Sequence, residues 1–145
     1  MILRPLNVDD KDEAVRAHHE MAPDGFDFLL DSMGSYDETG PWEAYLERLA
    51  GLESGEDVPV SWVPSTFLVA EVEGQIVGRV SIRHQLNEFL ERRGGHIGYG
   101  VRPAFRGRGH ASEILKRALA IARDLGMNRV LVTCDDANVA SARVI

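Results

Sequence analysis

Residues 96 to 115, HIGYGVRPAFRGRGHASEIL, have the types and spacing that hold an anion. An apolar run meets Pro103, then a bend rich in glycine and arginine, and the bend opens into an amphipathic helix. The first N–H groups of a helix have no intrahelical partner and lie at the positive end of its dipole. They bind a phosphate without needing any particular side chain. Gly107, Gly109 and Ala111 keep side chains clear, while Arg102, Arg106 and Arg108 add forked cationic donors. The plain alternative is a tight strand-to-helix turn with solvated arginines. The segment lacks the Lys-Ser/Thr pair of a P-loop, and it is not a GxGxxG turn with an acidic residue about twenty positions on.

Several elements must position this bend. The sequence predicts a strand at 2–5, stopped by Pro5, and a helix to about residue 21 capped by Asp9 or Asp10. Residues 22–40, around Phe26, Phe28, Leu29 and Leu30, read as a loop or short helix at a pocket mouth. A helix over 41–52 follows, with Trp42, Tyr45, Leu46 and Leu49 on one face. After an acidic loop at 53–57, residues 66–72 and 75–82 make a β-hairpin turned at Gly74. A strand at 96–101, a helix at 109–125 stopped by Gly126, and a strand at 130–133 complete the order. Ala111, Ile114, Leu115, Ala118, Leu119, Ala122 and Leu125 form the core stripe of that helix. This order predicts an α/β fold with a mixed sheet and helices on both faces. The hairpin is antiparallel, and the 96–133 passage is a right-handed parallel crossover.

At 145 residues, 44% of them hydrophobic, the chain suits one domain over 1–145. No apolar run is long enough to span a bilayer and no charged-then-apolar leader opens the sequence, so a cytoplasmic location and no membrane partner are expected. Cys134 stands alone, which excludes an intrachain disulfide; it reads as a buried strand-end residue and not a nucleophile, and no metal is expected. The net charge of −7 is unevenly distributed: residues 1–75 hold 17 acidic and 4 basic side chains, and residues 76–145 hold 6 and 12. The basic half suits an anion. Without a basic stripe interleaved with aromatics, nucleic acid is not the expected partner.

R-G-R-G-H-A at 106–111 resembles the R/Q-x-x-G-x-G/A signature of the GNAT superfamily of N-acetyltransferases, and G-Y-G-V-R-P before it resembles that family's fourth strand and its exit. C-D-D-A-N-V-A-S-A-R-V-I at 134–145 is similar to the next strand end and helix. With I-L-R-P near the start and S-I-R-H-Q-L-N before the glycine pair, the sequence looks most like a bacterial group of predicted acetyltransferases.

The resemblance implies a mostly antiparallel sheet whose fourth and fifth strands splay around the pantetheine arm of acetyl-coenzyme A. It implies that residues 106–111, His110 included, hold the pyrophosphate through backbone N–H groups. The N–H of Val101 or a strand neighbour would polarise the thioester carbonyl, with Gly98 and Gly100 permitting a bulge. Asn138 and Ser141 match positions along the pantetheine arm; as plain alternatives, Asn138 caps a helix and Ser141 lies on a solvated face. Many relatives carry a tyrosine seven residues after that asparagine to protonate the thiolate. Here that residue is Ile145, so Tyr99, His96 or water takes its place, or the thiolate leaves unprotonated.

His96 is the first candidate for general base, with His84 and Glu88 next and placed toward the acceptor. If the 22–57 region lines the pocket mouth, its carboxylates favour a cationic amine; a solvated acidic surface explains the same charges.

The expected activity is transfer of acetyl from acetyl-coenzyme A to a primary amine of a small molecule or peptide. The rivals are a non-catalytic acyl-coenzyme A binding module and a different nucleotide-binding α/β protein. Relatives continue for two strands beyond the helix that begins near Asn138, whereas this sequence ends at Ile145. The expectation is a trimmed chain, or an edge covered by a second copy in a homodimer.

Overall fold

The computed structural model describes residues 1–30 and 36–145, so part of the 22–40 segment read as a pocket mouth lies outside the described residues. In chain order the elements are β1 (Ile2–Arg4), α1 (Lys11–Met21), α2 (Trp42–Ser54), β2 (Ser65–Val72), β3 (Gln75–Arg83), α3 (Glu88–Arg92), β4 (Ile97–Val101), α4 (His110–Asp124) and α5 (Val139–Val144). Short 3-10 turns occupy Val8–Asp10, Ala22–Asp24 and Pro103–Phe105.

The strands form one antiparallel sheet in the order β1-β2-β3-β4. Alternation along β2 separates two cores. Phe67 and Val69 pack with Phe28 and Leu29 and with α1 and α2 residues such as Met21 and Tyr45. Leu68 and Ala70 face the other way, joining Val80, Ile82 and Ile97 against Ile114 and Ala118 of α4. Helices therefore cover both faces, as the sequence pattern predicts.

Local signals shifted some boundaries. Asn7, not Asp9 or Asp10, starts the first helical stretch: its side chain accepts the Asp9 N–H at 2.8 Å. Asp10 reaches back to the Asn7 N–H at 2.7 Å and completes a capping box. Helix α3 was not anticipated; Asn87 caps it by accepting the Leu90 N–H at 3.0 Å. In α4, Ile114, Leu115, Ala118 and Ala122 are buried as expected, but Leu119 and Leu125 are exposed, at the margin of the stripe. The expected bulge at Gly98 and Gly100 does not form, since the β3–β4 register is unbroken from Gly78↔Val101 to Ile82↔Ile97. The register shift lies instead at Ala70/Glu71 in β2.

The expected strand at 130–133 is not formed. The His96 N–H reaches the Leu131 carbonyl at 2.7 Å, but the Leu131 N–H is taken at 2.9 Å by Nδ1 of the His96 ring. With that donor given to a side chain, the ladder ends after one bond and the chain diverges from β4. Cys134, expected to be buried, is consequently exposed. Among the described residues, β4 is an edge strand.

Candidate active site

Hydrogen bonds alternate along an antiparallel strand. The Arg102 N–H bonds the Val77 carbonyl at 2.9 Å and the His96 carbonyl accepts the Arg83 N–H at 2.7 Å, so the even-numbered positions of β4 face β3. Ile97, Tyr99 and Val101 therefore turn their N–H groups outward, to the side from which 131–135 has diverged. The Val101 carbonyl accepts Nε of Arg106 at 2.9 Å, whereas its N–H has no partner among the described residues.

From Val101 the chain makes the 103–105 turn and enters the glycine bend. Gly107 and Gly109 have φ of +73° and +79° with open space where a Cβ would be. Glycine is thus required by backbone conformation and not by clearance. The Glu113 N–H is the first to find a partner, the Gly109 carbonyl at 3.2 Å. The N–H groups of residues 107–112 have no backbone partner among the described residues, and they crown a four-turn helix.

The three arginines expected at a phosphate separate. The Arg102 side chain is buried on the α1 side, donating to Glu20 at 2.8 and 3.0 Å, to Glu13 at 3.0 Å and to the Ile76 carbonyl at 2.7 Å. This corrects its expected role, because four of its five N–H donors are taken by protein acceptors and the buried side chain is turned to the α1 side. Arg106 ties the end of β4 to Asp24, whose carboxylate lies 2.7 Å away. Arg108 stays exposed, leaning on the Phe105 ring at 5.9 Å without an ion pair among the described residues. His110, half-buried, opens α4 at the bend.

His96 does not fit a general base. Because Nδ1 accepts the Leu131 N–H, the neutral ring carries its proton on Nε2 and offers no lone pair. Burial and the Arg83 charge hold the ring below its ordinary pKa, against a smaller opposing effect of the Leu131 backbone. His96 pins 131 to β4.

Tyr99 lies on the α4 face. Its hydroxyl is buried close to the Ser141 side chain, the one polar group in reach of it among the described residues, at a geometry too poor for a full hydrogen bond. Burial pushes the phenol above its ordinary range, opposed by Ser141. Asn138 caps α5, accepting the Ser141 N–H at 3.0 Å through Oδ1. Ser141 lies beside Tyr99 of β4 and is half-buried rather than solvated, whereas Asn138 is exposed.

The opposite face of β4 carries residues the sequence reading missed. Gly98 and Gly100 pair with Ser81 and Arg79 of β3. A Cβ on Gly100 would strike the Phe26 ring, and one on Gly98 would meet the Arg83 guanidinium at 3.3 Å. Arg79 lies 4.4 Å from the Phe26 ring centroid and donates to the Asp27 carbonyl at 2.6 Å. The readable signal was Arg79, Ser81 and Arg83 alternating with apolar residues in a strand whose two faces are both covered.

Beside Arg83, His84 joins a relay. Thr66 donates to Glu53 at 2.9 Å, so its single proton is engaged and its oxygen accepts Nε2–H of His84 at 2.8 Å. The lone pair of the neutral ring is thereby on Nδ1. Glu88 stands apart, exposed and paired with Arg92 at 2.8 Å on α3.

A sheet covered on both faces, whose edge strand turns through glycines into a helix start, defines an N-acetyltransferase-like fold. The acetyltransferase (GNAT) family model matches residues 27–145, and the chain belongs to that family. Glucosamine-6-phosphate N-acetyltransferase from Arabidopsis thaliana is similar in structure, with TM-score 0.58 and 22% identity over 99% of this chain and 88% of that one. The GNAT domain of S. lividans PAT is also similar, with TM-score 0.53 and 22% identity over 98% of this chain and 76% of that one. No curated protein matches the chain. Among the described residues, no helix is long and apolar enough to cross a membrane, and no cluster of His, Cys, Asp and Glu is arranged to hold a metal ion.

Proposed function

We propose that this acetyltransferase moves an acetyl group from acetyl-coenzyme A to the primary amine of a small molecule or peptide by direct transfer. One observation carries the reading. The outward N–H groups of Tyr99 and Val101 and, beyond the 103–105 turn, the N–H groups of 107–112 are donors without backbone partners among the described residues. The orphaned Tyr99 hydroxyl lies beside the same donors.

The donor molecule supplies an activated acyl group on sulfur. In this reading the N–H groups of 107–112 hold the pyrophosphate, Arg108 and His110 flank it, and Nδ2 of Asn138 and the Ser141 hydroxyl contact the pantetheine arm. The Val101 or Tyr99 N–H polarises the acyl carbonyl. His84, with Nδ1 as its lone pair, receives a proton from the amine, and Tyr99 donates one to the departing thiolate.

Thiol release from acetyl-coenzyme A against an amine panel, read with calorimetry of coenzyme A binding, tests this. Turnover that falls about a hundredfold in His84→Gln and less than about tenfold in His96→Gln supports these roles. Binding without turnover for any amine would leave a binding module instead.

A further inference from the structure

Resting on that activity, we infer that the acceptor is an amine bearing a carboxylate or phosphate group, bound through its anionic end by Arg83 over Gly98. Arg83 and Arg79 stand four residues apart on one face of β3, directed at the face of β4 where Gly98 admits the Arg83 guanidinium and Gly100 the Phe26 ring. The Arg83 guanidinium is built in. Its Nη1 donates to the Gly94 and Gly95 carbonyls at 3.0 Å each, and a Cβ on Gly98 would crowd it.

Those bonds fix the fork and leave Nη2 toward Gly98 without a protein acceptor among the described residues. Among the described residues no carboxylate pairs with it. Arg79 repeats the pattern more deeply. It is 5% exposed, its Nε has no partner, and its bonds go to the Asp27 and Gly98 carbonyls, with the Asp27 charge nearby.

Burial lowers the pKa of both guanidinium groups, that of Arg79 to about 10, with Arg83 contributing to the shift at Arg79. Two neighbouring desolvated cations without a bonded carboxylate are unfavourable together, and an anion arriving with the substrate relieves them. Of the 22–57 carboxylates expected to favour a cationic acceptor, Asp24 is held by Arg106 and Glu53 accepts from Thr66, while Asp27 lies beside Arg79 and not Arg83.

Held by its anionic end, the acceptor directs its amine at the outer edge of β4. There the nitrogen forms a bond to the acyl carbon and the carbon–sulfur bond breaks. One amine proton leaves to His84 and on to solvent, and the thiolate takes one from Tyr99, which recovers it from solvent.

The test compares alanine with alanine amide, and phosphoethanolamine with ethanolamine, as acceptors. In each pair the anionic amine is expected to have kcat/KM roughly ten- to a hundredfold higher, since a charge-assisted hydrogen bond contributes on that scale. The better pair tells carboxylate from phosphate recognition. Arg83→Gln should remove the preference by raising KM for the anionic amine while coenzyme A affinity stays unchanged. Gly98→Ala, which crowds the guanidinium without touching its carbonyl bonds, should do the same and guards against a folding defect in Arg83→Gln.

Equal or better use of the uncharged partners, or a preference that survives both variants, would overturn the inference. Calorimetry of alanine and phosphoethanolamine into the coenzyme A-saturated protein separates the two readings. Arg83-dependent binding without turnover supports the anion site while refuting transfer to these amines, and no binding of either refutes the anion site.

Discussion

The two ends of β4 both carry arginines, and they use them in opposite ways. At the carboxyl end, Arg102 and Arg106 are engaged by Glu13, Glu20 and Asp24, so the side expected to hold phosphate offers mainly backbone N–H groups and Arg108. At the amino end, Arg83 is fixed by carbonyls and meets no carboxylate among the described residues. The split in charge along the sequence is thus partly structural: acids of the first half are joined across the fold to arginines of the second. A charge count gives the sign of each half but not which charges remain available.

That contrast can be broken first at Arg102. Arg102→Ala leaves two carboxylates facing a buried gap and should cost about 3 kcal/mol, the lower end for such a loss because Glu13 and Glu20 keep some contact with water. Chemical denaturation reads this, and coenzyme A affinity of the folded protein should change less than about threefold, below ~0.7 kcal/mol.

Acid unfolding sharpens the same point. Arg102 holds Glu20 below the carboxylate range, and at Asp10 the Arg4 and Asn7 contacts outweigh the opposing effect of burial. Both groups take up protons more readily when unfolded, so their contribution is present above the unfolded values of 3.8 and 4.5 and is lost as pH falls through the lower folded values. Stability measured from pH 6 to 2 should therefore fall in acid, and Arg102→Ala should flatten that fall by removing the Glu20 share.

Tyr99→Phe separates catalysis from packing. It removes an orphaned buried hydroxyl, so stability should hold or rise by up to about 1 kcal/mol, while kcat falls about a hundredfold. Gly109→Ala, at φ +79°, should cost about 1 kcal/mol of stability and raise the Kd for coenzyme A roughly tenfold as the bend is distorted. Smallest is Arg108→Ala: stability within about 0.5 kcal/mol of the parent, and coenzyme A affinity reduced a few-fold at low salt, the difference vanishing at high salt.

Much of the fold was legible because its signals are local. Periodicity gave the hairpin and α4, and left-handed glycines marked the bend. The strand at 130–133 failed for a reason no periodicity contains, since a histidine ring takes the peptide donor that a ladder needs. The backbone part of the candidate site was read over Val101 and 106–111; the Arg106 N–H is taken by the Pro103 carbonyl, and the donors without backbone partners among the described residues run over 107–112. The site was misread where side chains choose partners distant in sequence, as Arg102 does with Glu13 and Glu20. The polar alternation of Arg79, Ser81 and Arg83 was visible, but its meaning depends on Gly98 and Gly100 standing opposite.

The central claim is that the backbone donors from Tyr99 to residue 112 hold the acyl donor. Amide chemical shifts of the labelled protein during a coenzyme A titration test it most directly. Large, saturable shifts of the Tyr99 and Val101 amides and of the 107–112 amides, with Arg102 Nε–H unmoved, are predicted. Saturation of the protein with those amides unshifted, or with the largest changes away from β4 and the start of α4, would contradict it.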